Sequence, residues 1–284
     1  MSVKEHNPVP TRYGVLSITN IKPALQQVNF DITQIYQDEY ERTLFEERFR
    51  TFLDGGDLHA GLFHRHNDNI ISYRTECILP TGQDSRPPLL LVFGNPASHS
   101  VAAGMFFSYE GNGREHAIWR VLSRAGIFHL PNCPPDLTER MQARKEALLN
   151  SLEYGSPFRI GLAVFYTMPS PPDIGVAGVK RLFGTRALKA VEDSETLRIG
   201  ALIRDFVSPD GAVVTFQKDA YSGIKSDDSP AYVLAQAKAG GLAGTCRFAP
   251  GTSLFGLPPT RPYYQDLHIR LLGSIRQQLL ESPS

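Results

Sequence analysis

Five consecutive apolar residues, at positions 89–93, are followed at once by Gly94-Asn95-Pro96. An unbroken apolar run of this length predicts a strand that is buried on both faces, as in a parallel sheet. Gly94 ends the predicted strand. In open α/β sheets, ligands bind at the carboxyl ends of strands, where neighbouring connections diverge and leave a crevice. The side-chain amide of Asn95 is therefore a candidate functional group.

Beyond residue 86 the sequence alternates between predicted strands and predicted helices. Apolar runs that predict strands occupy 89–93, 159–166, 212–216 and 245–248, and helical patterns occupy 116–125, 178–206 and 264–280. Residues 222–241 form a polar and small-residue insertion, part of it helical. Strands that alternate with helices are typical of an α/β sheet with crossover helices. We expect residues 87–284 to form a three-layer α/β sandwich around a central, mostly parallel, four-stranded sheet.

Residues 1–86 have a different pattern and are predicted to be a partly helical N-terminal extension. Apolar and aromatic side chains recur at helical spacing between residues 32 and 53, which predicts an amphipathic helix. These side chains are Ile35, Tyr36, Tyr40, Leu44, Phe45, Phe49 and Leu53. The segment TGQDSRPP then separates the extension from the first strand of the α/β region.

Charge and composition exclude several classes of function. The 29 basic and 29 acidic residues balance, so a broad electrostatic attraction to nucleic acid is not expected, although a local basic face is compatible with this balance. No segment is apolar for long enough to span a membrane, and the first residues lack a secretory signal, so we expect a cytoplasmic protein.

The cysteines indicate neither a disulfide framework nor a metal site. Cys77, Cys133 and Cys246 are scattered, without a CxxC pair. Three separated thiols cannot supply the four ligands of a typical iron–sulfur cluster. We therefore expect no iron–sulfur cluster and no other cofactor.

Asn95-Pro96 is followed by Ser100, Gly104 and Phe107. This pattern resembles the first motif, Gly-Ile-Asn-Pro-Gly followed by Gly-x-x-Phe, of the uracil-DNA glycosylase superfamily, and most closely of its mismatch-specific uracil/thymine branch. Trp119 and Ala125-Gly126 continue the match into the next helix. The segment VVTFQKDAY resembles the Leu-Gly-Lys-x-Ala-Tyr motif and aligns Lys218, Ala220 and Tyr221. The resemblance covers residues 89–280 and omits the N-terminal extension.

The resemblance implies cleavage of an N-glycosidic bond in DNA, with uracil or a related altered base as the leaving group. Asn95 would orient a water molecule toward the sugar, Phe107 would stack on the flipped base, and backbone N–H groups near Gly94 would receive the base oxygen. The remaining groups implied for base binding are Pro96, Ser100, Gln217 and Lys218.

The last motif departs from the family, which has His-Pro-Ser or Asn-Pro-Ser where this chain has Ala249-Pro250-Gly251-Thr252-Ser253. His99 is a candidate acid or base in place of the missing side chain. Leu254 and Phe255 are candidates for an apolar wedge that fills the gap left by a flipped base. The predicted DNA contact comprises these two residues, Thr252, Ser253 and the basic residues Lys180, Arg181, Arg186 and Lys189.

Each assignment has a structural alternative. Asn95 could cap the following segment, Lys218 and the basic residues could be solvated charges, and Leu254 and Phe255 could pack under a loop. Phe106 or Phe107 could belong to the core. Two functional alternatives also remain: a DNA- or nucleobase-binding protein without turnover, and a hydrolase of free nucleosides or nucleotides.

A second cluster of possible ligands lies in the extension. His59, His64 and His66 are close enough in sequence to bind a transition metal, but a solvated loop explains the same pattern.

Overall fold

The computed structural model describes residues 10–109, 113–247, 252–260 and 264–281, and these residues form a mixed α/β structure with two five-stranded sheets. The strands are β1 (Thr11–Tyr13), β2 (Leu16–Lys22), β3 (Leu25–Asp31), β4 (Phe63–Arg65), β5 (Ile70–Glu76), β6 (Pro88–Phe93), β7 (Arg159–Val164), β8 (Ala212–Thr215), β9 (Gly244–Arg247) and β10 (Ser253–Gly256). The helices are α1 (Glu39–Leu53), α2 (Asp57–Ala60), α3 (Ser98–Ala103), α4 (Ala117–Arg124), α5 (Leu137–Glu146), α6 (Gly175–Leu202), α7 (Lys218–Ile224), α8 (Leu234–Lys238) and α9 (Gln265–Glu281).

The central sheet has the strand order β7-β6-β8-β10-β9. Strands β7, β6, β8 and β10 run parallel, and β9 pairs antiparallel with β10. The sheet is thus mixed and five-stranded, whereas four strands were expected. The strand expected at 245–248 is β9, for which the structure describes Gly244–Arg247; Phe248 lies outside the described residues. The continuous apolar run at 89–93 is the inner strand β6, which is buried on both faces as predicted.

Alternate residues of β6 point to two different hydrophobic clusters. Leu90 and Val92 pack with residues of α6 and α7, while Leu89, Leu91 and Phe93 pack with residues of α4, α5 and α9. This alternation follows from the period of two in a strand. Helices therefore cover both faces of the central sheet, which explains why every residue of the run is apolar.

Helix α6 contains a kink at Gly184, whose φ of 71° lies in the left-handed region that favours glycine. A π-helical segment, Ile203–Val207, continues the chain toward β8. The helix predicted at 178–206 is therefore present, but it is bent. None of the described helices is both long enough and apolar enough to cross a membrane.

The N-terminal region is mainly an antiparallel sheet, so the prediction of a partly helical extension was incomplete. Its strand order is β1-β2-β3-β5-β4, and α1 packs beside it. Helix α1 begins seven residues later than the start of the predicted segment, because Asp38 caps it by accepting a hydrogen bond from the Glu41 N–H. The sequence did not predict these strands because polar residues interrupt the apolar pattern of the seven-residue strands β2, β3 and β5, while β1 and β4 have only three residues each.

One hydrophobic cluster joins the N-terminal sheet to the central sheet through α6. The ring of Phe30 in β3 lies 5.4 Å from that of Phe183 in α6, with an edge-to-face geometry. The Tyr36 hydroxyl donates a hydrogen bond of 2.8 Å to the Phe183 carbonyl. The N-terminal region is therefore packed over one helical layer of the α/β region.

Candidate functional site

The strand order places a crevice where β6 and β8 end. The chain passes from β6 to β7 on one side and then returns to β8 on the other side of β6. Connections that leave the carboxyl ends of adjacent strands in opposite directions open a crevice there. Gly94 and Asn95 follow β6, and Gln217 and Lys218 follow β8, so the predicted site residues lie along one edge.

A cavity of about 250 Å³ lies at the end of β6. Its walls combine the residues after β6, the loop after α3 and the ends of neighbouring elements. The lining residues are Asn95, Pro96, Ala97, His99, Ser100, Phe106, Phe107, Tyr109, His116, Val164 and Pro172. The structure therefore brings Asn95, Pro96, His99, Ser100 and Phe107 together around one space.

Asn95 is held by its amide nitrogen. Nδ2 donates to Ser170 Oγ at 2.8 Å and to the Met168 carbonyl at 3.2 Å. A carbonyl only accepts, so the atom facing Met168 is the nitrogen, and Oδ1 remains as an acceptor. The capping alternative does not apply to α3, because its N-cap is Ala97 and no side chain caps it. Asn95 lines the cavity, and its Oδ1 is chemically able to accept a hydrogen bond.

The segment that holds Asn95 is supported by a buried ion pair. Glu195 accepts hydrogen bonds of 2.6 Å from both the backbone N–H and the hydroxyl of Thr167. Arg198 pairs with Glu195 at 2.6 Å and also donates to the Phe165 carbonyl at 3.0 Å. Both charged side chains belong to α6 and are buried, so hydrogen bonds from α6 hold the exit of β7 in place.

One ring nitrogen of His99 is fixed by a hydrogen bond to the backbone. Nε2 lies 2.8 Å from the Tyr109 carbonyl, which only accepts, so Nε2 carries the hydrogen. In the neutral ring Nδ1 is then an acceptor. The imidazole also packs against the Tyr109 ring, with centroids 4.6 Å apart. His99 lines the same cavity as Asn95.

Phe107 and Phe106 have different roles. Phe106 is almost fully buried, whereas Phe107 is half-buried at the cavity wall. The φ of Phe107 is 50°, an uncommon backbone conformation for a bulky residue, and Trp119 Nε1 donates to its carbonyl at 3.0 Å. This bond fixes the backbone that presents the ring.

Six lining residues were not identified from the sequence as site residues, and two of them, Tyr109 and His116, carry polar side chains. The His116 ring lies 4.6 Å from the ring of Phe107, and its Nδ1 accepts a hydrogen bond from the Ile118 N–H at the start of α4. Tyr109 supplies the carbonyl that orients His99. The position of His116 just before a helix was the available signal, but a histidine cap has no distinctive spacing.

Gln217 and Lys218 lie at the same edge but do not line the cavity. Gln217 Nε2 donates to Asp219 at 2.9 Å, and Lys218 is exposed. A Cβ added to Gly94 would lie 2.8 Å from Val176 Cγ2 and 3.3 Å from Gln217 Oε1. Gly94 thus leaves room for the side chain of Val176, in α6, and for that of Gln217.

The predicted basic patch is largely neutralised. Lys180 lies 2.6 Å from Asp219, Arg186 lies 2.8 Å from Glu41, and Lys189 pairs with Asp193. Within the described residues Arg181 has no carboxylate at ion-pair distance, and it is exposed. Three of the four predicted cations therefore have carboxylate partners, and Arg181 has none in the described part of the chain.

The prediction for the last motif requires correction. Thr252, Leu254 and Phe255 are fully buried, and Ser253 begins β10, so this segment cannot contact DNA as a wedge. Ser253 also pairs with Ala212, at the level of Leu89. Asn95 lies six residues further along, about 20 Å away at roughly 3.3 Å per residue. Residues 248–251, which include Ala249, lie outside the described residues.

The loop that topology brings to the site edge follows β10 instead. It begins with Leu257, whose carbonyl accepts from the Tyr232 hydroxyl at 2.8 Å. The next carbonyl, of Pro258, lies 3.0 Å from Nε2 of the buried His268. The sequence did not predict a strand at residues 254–255, because a four-residue strand is too short to show its period.

His59, His64 and His66 do not form a metal site. His59 is buried in α2, while His64 lies in β4 and His66 Nε2 is 2.8 Å from Ser72 Oγ. Among the described residues no group of three or more His, Cys, Asp or Glu side chains is arranged to hold a metal ion.

Comparison with known proteins found no family model that matches this chain and no curated protein that matches it.

Proposed function

We propose that this protein is a DNA glycosylase of the uracil-DNA glycosylase type, which hydrolyses the N-glycosidic bond of uracil or a related altered base. One observation carries the proposal: the amide of Asn95, the imidazole of His99 and the ring of Phe107 line a single cavity at the carboxyl end of β6. This arrangement joins a water-orienting acceptor, a proton acceptor and an aromatic face in one space.

The size of the cavity favours a single heterocyclic ring as the ligand. Its volume of about 250 Å³ is below the roughly 300–1,000 Å³ of pockets that hold drug-sized ligands. A base that has left the stack would enter it, and the sugar and phosphates would remain outside. The ring of Phe107 would cover one face of the base.

The proposed reaction adds water across the bond between the base and the sugar. Asn95 Oδ1 accepts one hydrogen of the water, whose oxygen attacks the anomeric carbon while the bond to the base breaks. His99 Nδ1 takes the proton lost by the water, and the base leaves with the bonding electrons. Because an amide is a weak base, Asn95 acts by orientation, and His99 acts as the proton acceptor.

A second candidate is a hydrolase of free nucleosides or nucleotides. The carboxylate partners of Lys180, Arg186 and Lys189 favour it, because they reduce the positive charge available to a DNA backbone. A third is a nucleobase- or DNA-binding protein without turnover. All three candidates use the same cavity. They differ in whether a base is released from DNA, from free nucleosides or nucleotides, or not at all.

The test is base release from a panel of substrates. Single-stranded, paired and mismatched oligonucleotides containing uracil, thymine, hypoxanthine or xanthine are compared with the matching nucleosides and nucleotides. We expect release from oligonucleotides, a loss of roughly 10²–10³-fold in kcat for Asn95→Ala, and unchanged release for the exposed control Asn20→Ala.

Other results would select another function. Release from monomers alone would identify a nucleoside or nucleotide hydrolase. Salt-sensitive DNA binding without release of any base would identify a binding protein. Full activity of Asn95→Ala would contradict the role given to this cavity.

A further inference from the structure

A buried contact joins the N-terminal region to the loop that carries Asn95. His59, in α2, places Nδ1 2.7 Å from Ser98 Oγ and Nε2 3.0 Å from the Phe52 carbonyl. His59 and Ser98 are 1% and 3% exposed, so water does not compete for these bonds. Ser98 is the first residue of α3 and lies three residues after Asn95.

The donors and acceptors of this contact follow from the Phe52 carbonyl. A carbonyl only accepts, so Nε2 of His59 must carry the hydrogen. The neutral ring then has an unprotonated Nδ1, which accepts the hydroxyl hydrogen of Ser98. Burial lowers the pKa of His59 below its ordinary 6.5, which keeps the ring in this neutral form at neutral pH. The Ser98 hydroxyl is therefore a donor with one fixed direction.

Surrounding rings hold the imidazole of His59 in place. Phe52 and Phe63 both meet it edge to face, at centroid distances of 4.8 and 5.1 Å. Such rings leave the imidazole no second orientation without displacing the core of the N-terminal region. The position of Ser98 is thus set by a rigid group.

Ser98 is connected to Asn95 through Ser170. The Ser98 N–H donates to the Ser170 carbonyl at 3.0 Å, and the Ser170 N–H donates to the Pro96 carbonyl at 3.1 Å. The Ser170 hydroxyl is the group that accepts from Asn95 Nδ2 at 2.8 Å. Hydrogen bonds therefore join the exit of β7 and the loop after β6 into one unit.

The N-terminal region touches this unit at a second point. A Cβ added to Gly55 would lie 2.4 Å from Pro171 Cγ and 3.1 Å from His59 Cδ2. Gly55 thus allows the turn between α1 and α2 to pack against Pro171, the residue after Ser170. The N-terminal region therefore contacts the loop after β6 at Ser98 and the exit of β7 at Pro171, the two segments that hold Asn95.

We infer that His59 is a positioning residue for Asn95, and that the N-terminal region completes the candidate site instead of being an accessory to it. This inference rests on the proposed function for its kinetic consequence. Loss of the His59–Ser98 bond lets the Asn95 loop shift, and small misplacements of an orienting group are costly in rate.

Two substitutions of His59 separate positioning from a merely structural role. The amide of Asn reaches from Cβ as far as Nδ1, so His59→Asn retains an acceptor for Ser98 and loses the bond to Phe52. The amide of Gln reaches as far as Nε2, so His59→Gln retains a donor for Phe52 and loses the bond to Ser98. Ser98→Ala removes the same bond from the other side and leaves His59 intact.

We expect His59→Gln and Ser98→Ala each to lower kcat by about tenfold per binding-competent site, with KM within about twofold of the parent value. The fraction of competent sites is counted by titration with free uracil. His59→Asn should recover most of kcat. The double variant His59→Gln/Ser98→Ala should lose no more than either single variant, because both remove one interaction.

A measurement independent of turnover accompanies the kinetics. Hydrogen exchange of the Asn95 side-chain amide, followed by NMR, should be faster in His59→Gln and Ser98→Ala than in the parent and His59→Asn. Unchanged exchange in the first two variants, or equal loss in His59→Asn and His59→Gln, would overturn the inference. If the parent protein releases no base, the proposed function fails, and the amide exchange alone still decides whether His59 positions Asn95.

Discussion

The ring of Phe107 meets the ring of Phe93 edge to face, with centroids 4.6 Å apart and planes at 72°. Phe93 in turn stacks on Phe216, also at 4.6 Å, with planes at 10°. Phe93 ends β6 and Phe216 follows β8, so two strand ends of the central sheet support the cavity wall. The candidate base-stacking ring is therefore backed by the hydrophobic core.

Truncation of Phe107 should weaken substrate binding. Stacking of a base on an aromatic ring is worth roughly 1–3 kcal/mol, so Phe107→Ala should raise KM by about 5- to 150-fold, and Phe107→Leu by less. Michaelis kinetics on the best substrate measures this. The matched control is Phe128→Leu, a core substitution that should reduce the free energy of unfolding and leave KM unchanged. Equal KM values for Phe107→Ala and the parent would exclude a stacking role.

Arg181 should contribute to DNA affinity more than its basic neighbours do. It is exposed and, within the described part of the chain, has no carboxylate partner, whereas Lys189 is paired with Asp193. Arg181→Ala should reduce the slope of the logarithm of the DNA association constant against the logarithm of salt concentration by about one. Lys189→Ala should reduce it by much less. Fluorescence anisotropy at several salt concentrations gives the slopes. The same slope in both variants and the parent would remove this face from the DNA contact.

Glu76 should make the protein less stable as the pH rises. It is 1% exposed, neither carboxyl oxygen has a hydrogen-bond partner among the described residues, and burial raises its pKa well above the ordinary 4.5. Above pH 4.5 the unfolded chain releases this proton and the folded protein retains it, so the free energy of unfolding falls until the folded-state pKa is reached.

Glu76→Gln, which cannot ionise, should remove that dependence. The difference in unfolding free energy between Glu76→Gln and the parent should be smallest below pH 4.5. Between pH 4.5 and the folded-state pKa of Glu76 it should grow by up to about 1.4 kcal/mol per pH unit. Urea unfolding between pH 4 and pH 8 measures the gain, with Glu39→Gln, at the exposed start of α1, as the control. A gain that does not change with pH would contradict this account of Glu76.

Arg198 should be essential for stability because it neutralises a buried carboxylate. Arg198→Met leaves Glu195 without its charge partner and should cost about 3–5 kcal/mol of unfolding free energy. The double variant Arg198→Met/Glu195→Gln should be less destabilised, since a neutral amide still accepts from Thr167. The exposed pair of Arg186 and Glu41 is the control, and Arg186→Met should cost less than about 1 kcal/mol. Equal losses in all three variants would be inconsistent with the buried pair.

Much of the α/β region could be predicted because its signals are local. The run at 89–93 is continuous in sequence and became the doubly buried strand β6. Strand β7, helix α4 and helix α9 also have apolar patterns long enough to show their period. The N-terminal sheet could not be predicted in the same way, because polar residues interrupt its three seven-residue strands and its other two strands have three residues each.

For the candidate site, sequence placed Asn95, His99 and Phe107 near one another because they lie within thirteen consecutive residues. It could not place Gln217, which lies at the same edge but outside the cavity, because strand order is a tertiary property. Leu254 and Phe255 show the same limit: pairing with β8 made them part of the core.

By itself, the sequence determined the α/β class, the strand that leads into Asn95 and the aromatic character of the following loop. These depend on the period and composition of neighbouring residues. Only the tertiary structure decided that Phe107 is more exposed than Phe106, which predicted cations pair with carboxylates, and how the N-terminal region reaches Asn95. The His59–Ser98 bond joins residues 39 positions apart. Such pairings arise when packing brings distant segments together, and no local pattern encodes them.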